Sequence, residues 1–489
     1  MLNPEHPVTY CLQPGVTLDV NGEDAVLLRE KPLQVLRLNA SALRLLRQLD
    51  GPRPLSDAAV AAGLGVEEAQ SFLDVLVQRG VALRRPGLPA ELPFVSVVVP
   101  VRNRAHDLVE CLRSLLALDY PQDRLEIIVV DDASDEDIRA VTAGLPVRVI
   151  RQARKSGPAA CRNVGARAGR GEILAYTDSD CVVDPDWLTS LVPYLNDPNV
   201  GAVGGLIEPY SLTTAIDRYE AVNSSLYMGL EEGEVRPNSD IPFLPTASLL
   251  VRRAIWQELG GFDESFPIGE DVDLVWRVRD AGYRVHYVPR GRVRHKYRAT
   301  LRAFARRRAF YGGSEAFLLR KHTDKRKALV FGWSTLALLV PLVAAVLTGW
   351  YPLAAFGAPA PLLDLVRRAL RIQHFGASVP FAWIARSLLR DHAAFFYHLC
   401  GNFARYYSIP FLLLGLLFPP LLFVWLLALL YPVAYDWTRR RPRLNFPAFL
   451  FLYWLELFAH QVGILLRCLE SRALGVLVPR LVFIQKATR

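Results

Sequence analysis

Ile173-Leu174-Ala175-Tyr176-Thr177-Asp178-Ser179-Asp180 is the stretch on which the fold turns. Its four apolar residues read as a short buried strand, and two carboxylates two positions apart follow the strand's C-terminal end. Similar apolar runs stand upstream at 94–100, 125–130 and 147–151. Helix-like segments at 106–118, 136–143 and Pro158–Ala168 separate them. Short apolar runs alternating with helices predict a parallel α/β sheet. Ligands of such sheets sit at the C-terminal ends of the strands.

The polar residues concentrate at those ends. The first strand runs into Pro100-Val101-Arg102-Asn103 and the second into Asp131-Asp132-Ala133-Ser134. Ser156-Gly157-Pro158 opens a helix carrying Arg162. Far downstream stand Gly260-Gly261-Phe262-Asp263-Glu264 and Gly269-Glu270-Asp271-Val272-Asp273-Leu274. Carboxylates spaced as Asp178 and Asp180 can share one divalent cation and a ribose hydroxyl. A sugar nucleotide needs that pairing, because its diphosphate leaves with a charge that a metal must neutralise.

Taken in order, these motifs resemble the family 2 glycosyltransferases of the GT-A fold. The resemblance implies that Pro100, Arg102, Asn103, Asp131, Asp132, Gly157, Arg162, Asp178 and Asp180 hold a UDP-sugar donor. Asp131 or Asp132 would accept the uracil N–H, although either could instead cap the following helix. Asp178 would touch the ribose and Asp180 the metal, Mg2+ or Mn2+, with His295 as a further metal ligand or diphosphate contact. Asp271 is the candidate general base of an inverting transfer, and Glu270 would hold an acceptor hydroxyl or an amide. Crowding of Glu270, Asp271 and Asp273 raises at least one pKa, which suits a base. Asp273 is placed as a cap for a helix over 274–281. Thr246 and Ser248 are candidates for acceptor or phosphate contact. The Gln-x-x-Arg-Trp motif of processive relatives is absent at 306–312, where Arg306-Arg307-Arg308 reads as membrane-surface contact.

Residues 1–88 read as a separate winged-helix-like α+β domain: four short strands, a helix capped by Asn39, two further helices and a closing strand. The pattern from Gly15-Val16 through Leu38-Asn39 to Leu49-Asp50-Gly51 resembles PqqD-type domains, which bind leader peptides. A DNA-binding reading fails on charge. The third helix carries Arg79 against Glu67, Glu68 and Asp74, so no nucleic-acid partner is expected. Residues 84–93, with three prolines, read as a linker.

The chain has 489 residues and is 52% hydrophobic, and the excess is concentrated. Residues 328–363 and 409–435 contain no charged side chain, and 446–466 contain only Glu456. Each segment is long enough to cross a bilayer, the first as two helices. The net charge is +9, and residues 290–327 hold 14 Lys or Arg against two acids. This places the basic run on the cytoplasmic, anionic-lipid side. Six scattered cysteines argue against a zinc site or a disulfide framework. Early charges at Glu5 and Asp19 argue against a signal peptide.

The expected organisation is therefore a PqqD-like domain at 1–88, a GT-A domain at 89–325 and transmembrane or interfacial helices at 326–489. That combination resembles the mycofactocin-system glycosyltransferases. The resemblance implies a hexosyltransferase on the cytoplasmic membrane, its catalytic domain facing the cytoplasm. The donor would be UDP-glucose and the acceptor a peptide-derived, premycofactocin-type redox cofactor, extended as a β-1,4 oligomer. The rival readings are a polysaccharide or lipid-linked-sugar transferase with membrane lipid as partner, and a peptide-carrier module with a degenerate transferase domain.

Overall fold

The structure, a computed structural model, describes residues 7–21, 24–29, 33–236, 241–298, 300–326, 328–374 and 379–483. The chain clusters into two compact units. One comprises Met1–Ala90, Ala328–Cys400 and Arg480–Arg489; the other comprises Glu91–Lys327 and Gly401–Pro479.

The first unit begins with β1 (Thr9–Leu12), β2 (Val16–Asn21), β3 (Asp24–Arg29) and β4 (Gln34–Leu38). There follow α1 (Ala40–Leu46), β5 (Arg53–Pro54), α2 (Leu55–Ala62), α3 (Val66–Gln78) and β6 (Ala82–Arg85). Strands β2, β3 and β4 form one antiparallel sheet, while β1 lies between β5 and β6 in another. The side chain of Asn39 accepts the Ala42 N–H at 2.8 Å and starts α1. Leu27, Leu45, Leu49 and Leu73 close the core with no exposed surface. The closing strand runs two residues into the expected linker, because Arg84 and Arg85 pair with Tyr10 and Thr9.

The second unit carries a nine-stranded sheet. Its elements are β7 (Val95–Val101), α4 (Ala105–Leu116), β8 (Leu125–Asp131), α5 (Ile138–Thr142), β9 (Arg148–Arg151), α6 (Pro158–Ala168) and β10 (Ile173–Tyr176). Next come β11 (Cys181–Val183), α7 (Trp187–Leu191), β12 (Val200–Pro209), α8 (Ala215–Asn223), β13 (Gly233–Glu234) and β14 (Leu249–Arg252). Then follow α9 (Arg253–Glu258), α10 (Glu270–Asp280), β15 (Arg284–His295) and α11 (Leu301–Lys321). Strands β10, β7, β8 and β9 are parallel as expected. Beyond β10 the sheet turns mixed, since β14 runs antiparallel to both β10 and β12. Val95, Val97, Val98 and Val99 are fully buried in β7, each stabilising by roughly 1.5–3 kcal/mol.

The remaining elements are β16 (Ala328–Phe331), α12 (Trp333–Thr348), α13 (Pro359–His374), α14 (Phe381–Leu417), α15 (Pro420–Arg440), α16 (Phe446–Glu470) and β17 (Arg480–Phe483). Helices α15 and α16, of 21 and 25 residues, are long and apolar enough to cross a membrane. The apolar run at 409–435 is broken at Phe418-Pro419 between α14 and α15 rather than forming one span. Residues 328–363 also depart from expectation. Only α12 is a regular apolar helix there, and its 16 residues fall short of a span.

Helix α16 lies on α11 at backbone contact. A Cβ at Gly312 would collide with the His460 carbonyl, and one at Gly463 with the Ala309 carbonyl. Arg308, expected at a membrane surface, is instead buried between Glu220 (2.7 Å) and Glu456 (3.7 Å). A guanidinium surrounded by protein needs carboxylates to offset its desolvation, and both neighbouring helices supply one.

Candidate functional site

The register of the parallel strands sets the floor of the site. Val101 faces Asp131, which faces Arg151, and Val98 faces Tyr176, so the loops after β7, β8 and β10 emerge side by side. These loops are tied together by side chains. Asn103, in the left-handed region at φ 51°, accepts the Asp135 N–H at 2.7 Å and donates to the Asp135 carboxylate at 2.9 Å. Asp131 accepts from Ser134 N (2.9 Å) and Arg151 (2.8 Å). Asp132 accepts from Ser156 N (2.6 Å) and Gly157 N (3.1 Å), which fixes the turn into α6. Pro100 ends the same edge of the sheet, and Arg102 Nη1 beside it is buried without a hydrogen-bond partner.

Arg162 joins the two ends of the motif set. Only 4% exposed, it donates to Asp178 at 2.7 Å and to Glu270 at 2.5 Å, while its Nε finds no partner. Burial pushes the Asp178 carboxyl up, but the Arg162 charge, with His295 behind it, outweighs burial and holds it below the usual carboxylate range. Glu270 and Asp271 lie within the first turn of α10, four residues before the expected helix start. Gly269, in the left-handed region at φ 85°, turns the chain into the helix. The positive end of the helix favours both carboxylates. Asp271 keeps partial access to solvent and accepts from Val272 N at 2.8 Å and Thr246 N at 3.4 Å. Burial, then the adjacent Glu270 charge, push its pKa up to about 7, with Arg162 pulling the other way.

Asp273 does not cap a helix. It is fully buried inside α10 and binds Arg277, Lys321 and His322, each at 2.8 Å. Burial acts against its charge, but His322, Lys321 and Arg277 outweigh it and bring the pKa down to about 2. Ser248 is likewise structural. It is wholly buried, and its hydroxyl accepts from Trp187 Nε1 at 2.9 Å and Gly205 N at 3.1 Å.

Antiparallel pairing of β11 with β15 sets Cys181 opposite His295 and so brings Asp180 beside the imidazole. Ligand atoms of Asp180, Cys181 and His295 lie within 4.8 Å of one another, with Asp180 to His295 Nε2 at 3.5 Å. His295 Nδ1 is buried without a partner. The Asp180 carboxylate suits Mn2+ or Mg2+, and the His295 imidazole, a softer donor than oxygen, favours the transition metal of the two. Burial, and then the charges of Asp180 and Asp178, hold the Cys181 thiol well above its ordinary pKa, which leaves it a poor ligand for a hard cation. Asp180 also pairs with Arg104, a residue missed by sequence reasoning although it directly follows Asn103. Arg307, expected at a membrane surface, lines the site instead. Its Nε donates to Tyr311 Oη at 2.9 Å, and its charge acts on Asp178 and Asp180. A narrow cleft opens here, lined by Ser224, His295, Tyr297, Arg307 and Tyr311 among others.

Residues 96–260 match the family "Glycosyl transferase family 2". Over 97% of this chain and 98% of the relative, the sequence is 32% identical to the pre-mycofactocin glycosyltransferase of Mycobacterium tuberculosis. It is 30% identical to glycosyltransferase AglE of Haloferax volcanii over 41% of this chain and 66% of the relative. A solved structure, the mannosyltransferase PcManGT from Pyrobaculum calidifontis in complex with GDP-Man and Mn2+, aligns at 22% identity with a TM-score of 0.38. It covers 62% of this chain and 88% of its own. The α/β sheet with its motif order is that of a GT-A glycosyltransferase, and the near end-to-end likeness places the chain among the pre-mycofactocin glycosyltransferases, hexosyltransferases of family 2.

Proposed function

We propose that this enzyme transfers glucose, with inversion, from UDP-glucose to a peptide-derived acceptor of the premycofactocin type, building a β-1,4-linked oligomer at the cytoplasmic face of the membrane. The observation that carries the mechanism is Asp271, partly open to solvent, held at the start of α10 beside the buried Glu270–Arg162 pair and the half-buried Asp178. An acceptor hydroxyl oxygen attacks the anomeric carbon on the face opposite the diphosphate. The C–O bond to the diphosphate breaks, the diphosphate oxygen leaves with the electron pair, and the hydroxyl proton passes to Asp271. A pKa near 7 lets that carboxylate take a proton and release it at neutral pH.

The loops that end in Arg102, Asn103, Asp131, Asp132 and Gly157 form the nucleoside side of the donor site, and Asp178 faces the ribose. Among the described residues the buried donors Arg102 Nη1 and Arg162 Nε have no hydrogen-bond partner, as groups awaiting a polyanionic ligand do. Asp180 and His295 would hold the divalent cation, which supplies charge neutralisation at the leaving diphosphate. Residues 1–88 serve as the peptide-recognition domain. Helices α15 and α16 favour membrane attachment and keep a lipid-linked acceptor as the second reading.

The deciding experiment incubates the purified full-length protein with UDP-glucose, other UDP-sugars, a peptide-derived acceptor and a lipid phosphate, and reads products by mass. Hexose added to the peptide-derived acceptor alone is the expected result. Transfer only to the lipid phosphate would replace this reading with the second.

A further inference from the structure

Residues 333–374 of the first unit form a helical hairpin with an apolar outer surface. Helix α12 has 16 residues, so it is about 24 Å long, against a hydrocarbon core of about 30 Å. Gly349 takes the left-handed conformation at φ 70° and turns the chain at its end. The following 3-10 segment, Tyr351–Gly357, returns along α12. There a Cβ at Gly357 would stand 3.0 Å from Leu338 Cα. The hairpin therefore ends on the side where it began. Its tip exposes Leu347 (66%), Trp350 (56%) and Tyr351 (68%), and Phe356 (72%) is exposed on the returning arm.

Helix α13 then presents two faces. Its inner row is polar and tied down. Asp364 accepts from Ser334 Oγ of α12 at 2.9 Å and from Arg368 at 3.2 Å, and Arg368 reaches Asp391 of α14 at 2.8 Å. Its outer row carries Leu362, Val366 and Leu370 at successive turns, with Leu363 alongside, all exposed. Arg367 and Arg371 stand one step round the helix from these apolar residues, and both are exposed. Apolar side chains bordered along one edge by arginines, beside a tip of Trp and Tyr, are the arrangement of a helix lying in a membrane interface. In water the same surface would be an unprotected apolar patch.

We propose that this hairpin is a monotopic anchor. Its tip enters one leaflet and returns to the same side, while α13 lies along the surface with Leu362, Val366 and Leu370 in the acyl boundary and Arg367 and Arg371 on anionic phospholipid headgroups. The assignment rests on the membrane location proposed above and adds an attachment separate from α15 and α16.

The test uses the full chain on a Cys400→Ser background, because the other five cysteines are buried. An environment-sensitive fluorophore is placed at Leu347→Cys or Leu370→Cys, and the protein is mixed with vesicles of neutral or anionic phospholipid carrying a lipid-bound quencher. On anionic vesicles both probes should shift to the blue and be quenched, and a membrane-impermeant reductant added outside should reach position 370. Arg371→Gln should weaken quenching at 370 by about fivefold in lipid titration, the effect of one cation at an anionic surface. Flotation with vesicles while position 370 stays aqueous overturns the anchor and leaves attachment through α15 and α16 standing. Failure to float overturns the membrane location as well. A blue shift that needs only higher protein concentration assigns this face to a second copy of the chain and overturns the lipid assignment.

Discussion

Arg162 and Glu270, 108 residues apart in the chain, close a buried ion pair of 2.5 Å. The same guanidinium holds Asp178 at 2.7 Å, so one side chain from α6 sets the position of α10 relative to the end of β10. Removing it leaves Glu270 buried without compensation. Arg162→Met is expected to cost roughly 3–5 kcal/mol, measured by denaturant unfolding. Arg162→Lys, which keeps the charge but not the fork, should fold better and still lose most activity.

Asp271→Asn should lower kcat by roughly 100- to 10,000-fold with donor KM little changed, since the amide keeps the shape but cannot take the proton. Unchanged turnover in a mass-based assay would remove Asp271 from the reaction.

The pKa of about 7 at Asp271 fixes a pH dependence. The carboxylate must be ionised to act, so kcat/KM should rise through pH 7 and fall about tenfold per unit on the acid side. Stability runs the other way. Asp271 binds its proton more tightly in the folded state than in the unfolded chain, so its contribution is greatest at low pH and is lost as pH rises through about 7. Asp271→Asn should therefore have a higher Tm than the wild type at pH 8, with the gap closing at pH 4.

Asp273 has the opposite sign. Its pKa of about 2, against an ordinary 3.8, gives stability that is present above pH 3.8 and is lost as pH falls through 2. Asp273→Asn should cost roughly 2–3 kcal/mol at neutral pH. The difference from wild type should shrink in acid-unfolding curves.

Chelation with EDTA should abolish transfer, and added Mn2+ should restore it. His295→Ala should raise the Mn2+ concentration for half activation by at least about tenfold, while Cys181→Ser should not. A shift in Cys181→Ser alone would make the thiol the ligand.

The sequence reading succeeded where local rules sufficed. Pro158–Ala168 and Ile173–Tyr176 fall at the expected bounds, because a proline at the first helical position and a short apolar run are read without distant partners. It failed where the deciding partner is remote. Nothing near Ser248 announces Trp187, and nothing near Arg308 announces Glu220 and Glu456. The start of α10 was placed late because Gly269 supplies no capping side chain, and three acids in a first turn read as loop. The apolar run at 328–363 carried its composition openly, but composition does not show a turn at Gly349.

The contact between Gly312 and Gly463 has a consequence for inheritance. Two helices meshed without room for a methyl group behave as a threaded joint. Adding one residue to α16 ahead of Gly463 would rotate that glycine by about 100° and drive another side chain into Ala309. Helix α11, which lines the cleft through Arg307 and Tyr311, would then have to move. Point changes on the outer face of α16 leave the joint alone, whereas insertions and deletions break it. Descendants of this gene should therefore vary freely on the outer face of that helix and hardly at all in its length.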